Sequence, residues 1–83
     1  MNPFLKLRDL LIEMTLADRG VNAPGRAGQE ARRAYKAASA AVRSEIARLV
    51  AVGAYSSPDS ERYHSDAMAE VDAVRWGTTI LSR

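Results

Sequence analysis

The chain has no cysteine and a single histidine among its 83 residues. Disulfides and thiol chemistry are therefore excluded, and a structural zinc site lacks the ligand set it needs. Aromatic residues are few: one Phe, one Trp and three Tyr. No apolar run approaches the ~18 residues that a membrane-spanning helix requires. Lys6, Arg8, Asp9 and Glu13 break up the N-terminal apolar stretch, so a secretory leader is not expected. No segment alternates apolar and polar residues for long enough to make a strand. Together these absences leave a single small all-α domain over residues 1–83, expected to be cytoplasmic, with no cofactor and no metal.

What is present is helix. Asn2-Pro3 supplies a cap and a proline at the first helical position, and Arg19-Gly20 supplies a stop, predicting a helix over about 3–19. Gly20 is expected to take the left-handed conformation there. The glycines and proline of 20–28 predict a loop. A second helix over about 28–52 follows, with Ala31, Tyr35, Ala38, Val42, Ile46 and Leu49 at core spacing. Six alanines between 31 and 41 keep its early part thin enough for another helix to approach closely. Gly53 stops it. Ser57-Pro58 restarts the chain as a third helix over about 58–76, with Tyr63, Ala67, Val71 and Val74 facing inward and a tail at 77–83. Short connections between helices favour antiparallel neighbours. The expected architecture is a small three-helix bundle, or a helical hairpin plus third helix that dimerisation completes.

The first helix carries an unusual surplus of apolar side chains. Phe4, Leu7, Leu11 and Met14 form one stripe; Leu5, Ile12 and Leu16 form a second. A surface helix shows one apolar face, whereas a helix apolar on most sides is central or meets a second body. Leaving three such side chains wet would forgo roughly 1.5–3 kcal/mol of burial each. Leu5, Ile12 and Leu16 are therefore expected to bind a protein partner or a second copy, with Trp76 and Ile80 as a further anchor near the end of the third helix.

Net charge is only +2, but it is unevenly placed. Residues 26–48 hold six bases against two acids, and residues 58–76 hold five acids against two bases. If the basic second helix and the acidic third helix lie side by side, they screen each other. The alternative is that Arg26, Arg32, Arg33, Lys36 and Arg43 meet a charged partner, including a DNA backbone.

Signs of catalysis are sparse. His64 has Asp66 two residues away, on a different side of a helix, and no nucleophile converges on it. The carboxylates of the third helix lack the spacing of a calcium loop. Gly25-Arg-Ala-Gly28 has the GxxG spacing that clamps nucleic-acid backbone in KH domains, but that fold needs a sheet beside the loop. Residues 44–57 suggest a helix-turn-helix, yet its second helix would present Asp59 and Glu61 to the bases, and the connection is long. The sequence is thus read as a non-enzymatic protein–protein interaction module. Chains of this make-up are often small regulators, inhibitors or accessory factors of bacteria or phages. Nucleic-acid binding through the Arg-rich second helix is the alternative.

Overall fold

A computed structural model describes residues 1–77 and gives an all-α chain. The helices are α1 (Leu5–Asp18), α2 (Gly25–Ala51) and α3 (Ser60–Arg75), with a 3₁₀ turn at Ala54–Ser56. Among the described residues there is no strand. Trp76 closes α3 at its expected end, and Gly77 leaves it at φ 90°.

Asn2 does not cap α1: the helix opens at Leu5, two residues later than expected, with Phe4 and not Asn2 at the N-cap. The Asn2 Oδ1 accepts a hydrogen bond from the Phe4 N–H at 2.8 Å, while its Nδ2 donates to the Tyr63 carbonyl of α3 at 2.8 Å. One side chain therefore braces the lead-in to the first helix and ties it to the third. At the other end Gly20 is not left-handed. The chain leaves through tight turns, the Gly20 N–H donating to the Ala17 carbonyl at 3.0 Å. Gly20 is small for a different reason, since a Cβ there would lie 3.0 Å from the Ala31 Cβ on α2.

The second helix begins at Gly25, three residues before its expected start. Gly25 makes the turn at φ 67°. Gly25-Arg-Ala-Gly28 is consequently the first turn of a helix and not a loop, which removes the KH-like reading. Gly28 lies beneath the preceding segment, where a Cβ would come within 1.9 Å of the Ala23 carbonyl oxygen. Gly53, at φ 75°, ends the helix region as expected. Ser57 does not cap α3. The helix opens two residues later, and Ser60 Oγ donates to the Tyr55 carbonyl at 3.1 Å.

The helices do not lie in chain order. α1 packs against both α2 and α3, which scarcely meet each other. The basic and acidic helices are therefore not side by side, because the apolar first helix separates them. This arrangement also removes the helix-turn-helix reading, which needs its two helices packed together. The Cα positions span 47 × 35 × 14 Å, so the molecule is close to one helix thick. Most domains bury their cores between two layers. Here the core is a seam on either side of α1: Phe4, Leu7, Val42, Leu49, Ala54 and Ala67, with Leu10, Leu11, Met14, Tyr63 and Met68 packed against it.

Part of the apolar surplus of α1 is thus used within the chain, where one helix must serve two neighbours. The core face of α2 is turned slightly from its expected position. Ala38, Val42, Glu45 and Leu49 are buried, whereas Tyr35 and Ile46 are partly exposed at the side.

Candidate interaction surfaces

The side chains expected to bind a partner fall into separate groups. On α1, Leu16 is 50% exposed and Leu5 is 39% exposed, while Ile12 between them is half-buried. None of the three belongs to the core cluster. Trp76 is 76% exposed, and no described contact joins it to the α1 stripe. Ile80 lies outside the described residues.

Leu16 borders a shallow apolar groove of about 700 Å³ between α1 and α2. Glu13 and Ala17 complete the α1 wall, and Ala34, Ala37, Ala38 and Ala41 make the other. The alanine run therefore has two consequences. Ala38 lets α2 close on α1, and its neighbours leave a channel with low walls. Small residues at such positions allow another backbone to approach closely.

A second concavity, about 680 Å³, lies at the far end of the molecule between Tyr55 and the first turns of α3. Its base is an aromatic corner. Buried Phe4 meets the His64 ring edge-on at 5.2 Å and the Tyr55 ring at 5.1 Å. These contacts join the start of α1, the 3₁₀ turn and α3. His64 is held there as a packing group, and Asp66 is not among the residues around it.

The charged side chains are organised by the layer. Arg26, Arg32, Arg33, Lys36 and Arg43 are all exposed, on the side of α2 opposite its buried stripe. Arg32 donates to the Val21 carbonyl at 2.8 Å and shares a shallow hollow with Gln29, Arg33 and Lys36. Among the described residues, no carboxylate lies within 4.0 Å of any of these five cations. Three of the five acids at α3 are different. Asp59 pairs with Arg62 and Asp72 with Arg75, each at 3.6 Å, and Glu70 pairs with Arg8 of α1 at 2.7 Å. Only α2 presents a long row of unpaired charge.

The chain matches no family model, no curated protein and no solved structure.

One charged group escaped the sequence reading. Glu45 is only 3% exposed, in the middle of the apolar stripe of α2. Arg48, one turn on, donates to it through Nε and Nη2, with Nε–Oε1 at 2.9 Å. These hydrogen bonds hold the Glu45 carboxyl below its ordinary range. They outweigh the desolvation that acts in the opposite direction, and the charges of Arg48 and Lys6 add to the effect. Its spacing from Val42 and Leu49 could have revealed its position, but Ile46 competes for the same face. Glu45 is fully engaged, and no buried side-chain polar atom among the described residues lacks a partner. No cluster of metal-ligating side chains occurs among them either. No described helix is long and apolar enough to cross a membrane.

Proposed function

We propose that this chain is a non-enzymatic protein–protein interaction module, a small regulator or accessory factor that docks through the uncovered face of α1 and α2. The observation that carries this reading is the single-layer architecture, with the half-exposed Leu16 beside an alanine-walled groove. Apolar side chains of this size on a one-layer domain call for a second layer.

The occupant is a second copy of the same chain. The exposed side of α1 is self-complementary when two copies run antiparallel. Leu5 and Leu16 stand near opposite ends of the helix, and Lys6 and Glu13 lie on opposite sides of its midpoint. A two-fold axis near the middle of α1 brings Leu5 of one copy toward Leu16 of the other. It also sets Lys6 toward Glu13 across the contact, and lets each Leu16 lie along the other copy's alanine groove. Such an isologous contact closes on itself as a dimer. The charged edges remain outside it.

Light scattering across a wide concentration range tests the assignment. The expected particle has twice the 9.0 kDa chain mass, falling to one chain on dilution. Leu16→Glu, on one wall of the groove, and Ala37→Glu, on the other, should each give a monomer with unchanged helical circular dichroism. A wild type that stays monomeric at every concentration overturns self-docking. So does a dimer that both substitutions leave intact.

A further inference from the structure

We infer that the outer ridge of α2 is a contact surface for the phosphate backbone of nucleic acid, binding without reading sequence. Arg26, Arg32, Arg33, Lys36 and Arg43 recur at the spacings that keep side chains on one side of a helix. They span seventeen helical steps, about 25 Å at a rise of ~1.5 Å per residue. The ridge points away from α1, the α-helix that packs against α2, and so lies along an edge of the layer among the described residues. Glu30 stands one turn from Arg26 and Arg33 on the same helix, but among the described residues no carboxylate comes within 4.0 Å of any of the five cations.

Two features favour a polyanion over an acidic protein. The first is what accompanies the charges. Gln29 and Ala40 share the ridge, and between Arg26 and Arg43 no large apolar or aromatic side chain interrupts it. Protein interfaces centre on buried aromatic and apolar anchors, whereas a phosphate row needs only cations with room around them. The second is the cation type. Four of the five are arginine, whose planar fork suits phosphate oxygens and which keeps its charge. Of the acids on α3 of another copy, Asp59, Glu70 and Asp72 already hold arginine partners, which leaves only Glu61 and Asp66 to compete with phosphate. The ridge and the apolar groove are separate surfaces, so this inference stands or falls independently of self-docking.

The test is fluorescence anisotropy of a labelled, mixed-sequence DNA duplex titrated with the full chain at several salt concentrations. Neutralising Z phosphates gives a slope of log K against log salt of about −0.9Z, so full engagement of five cations gives about −4.5. Affinity should then fall about 500-fold between 50 and 200 mM salt. Arg33→Gln, Lys36→Gln and Arg43→Gln should each reduce the slope by about one while helicity is retained. A second duplex of different sequence should bind equally well. Absence of binding at 50 mM salt overturns the inference, as does binding that the three glutamine variants leave unchanged. It also fails if those variants abolish a salt-sensitive self-association seen without DNA, or if vesicles rich in anionic lipid bind the wild type more tightly than the duplex does.

Discussion

Arg8 reaches from the middle of α1 to Glu70 on α3, Nη1 to Oε2 at 2.7 Å, while Nε of the same guanidinium donates to Asp9. It is the one side chain-to-side chain ion pair that joins two helices among the described residues. It reinforces a contact that Asn2 makes at Tyr63 and that Arg19 makes by donating to the Val74 carbonyl. α3 is therefore attached to α1 by a row of polar ties alongside its apolar seam.

Because Glu70 is exposed and Arg8 partly so, their attraction is screened by salt. A double-mutant cycle with Arg8→Ala and Glu70→Ala should show a coupling that is favourable in low salt and vanishes near 1 M. A coupling that survives high salt would mean the pair acts through packing instead.

Glu45 makes stability depend on acid. Its folded carboxyl titrates below its ordinary value of 4.5, so its contribution is complete above that value and is lost as the pH falls through the folded one. Urea unfolding over this range should show a steeper acid-side loss for the wild type than for Glu45→Gln. Arg48→Ala removes the partner that holds the carboxylate charged and should destabilise the fold at neutral pH. Glu45→Leu replaces the buried charge with an apolar group and should be neutral or stabilising. Matching acid limbs for Glu45→Gln and wild type would show that the carboxylate plays no part.

Gly28→Ala should destabilise, reversing the usual rule. Alanine normally improves a helix interior by about 1 kcal/mol over glycine, but here its Cβ would fall 1.9 Å from the Ala23 oxygen. Displacing the loop should cost about 1–3 kcal/mol, the range for overpacked sites. A rise in Tm for this variant would show that the loop moves freely over α2.

The two faces of α1 should respond differently to substitution. Leu7→Ala removes a side chain that is 2% exposed and should cost about 2–5 kcal/mol. Leu16→Gln alters a half-exposed one and should leave monomer stability within about 0.5 kcal/mol, measured at concentrations low enough to keep the chain monomeric. Equal losses at the two sites would place Leu16 in the core.

Trp76 offers a direct optical check. At 76% exposure it should emit at the red, water-exposed end of the tryptophan range and be readily quenched by iodide. A blue-shifted, protected emission in dilute monomer would show that its indole is covered.

The helices and much of their packing were legible in the sequence because spacing alone encodes them. Phe4, Leu7, Leu11 and Met14 on α1 and Ala67 and Val71 on α3 face inward as their periodicity requires. Which helix lies between the others was not legible. The apolar girth of α1 announces two neighbours but does not say whether both belong to the same chain. The rotation of α2 was hidden for a chemical reason. Ile46 suits a core better than Glu45 does until Arg48 is known to reach back and complete the carboxylate's hydrogen bonds. The role of Gly20 was equally hidden, since a glycine after a helix signals a left-handed stop and a close helix approach alike. The exposed positions of Leu5, Leu16 and the five cations follow from the same periodicity. The alanine groove beside Leu16 needed the tertiary arrangement.

The spatial order α2–α1–α3 also governs how the two edges can influence one another. They share no direct packing of consequence, so a load on the cationic edge reaches the acidic edge only through α1 or along the 3₁₀ connection. α1 is at once the partition that keeps opposite charges apart and the principal mechanical link between them. Whatever seats itself along α1 therefore touches the helix against which both edges are packed.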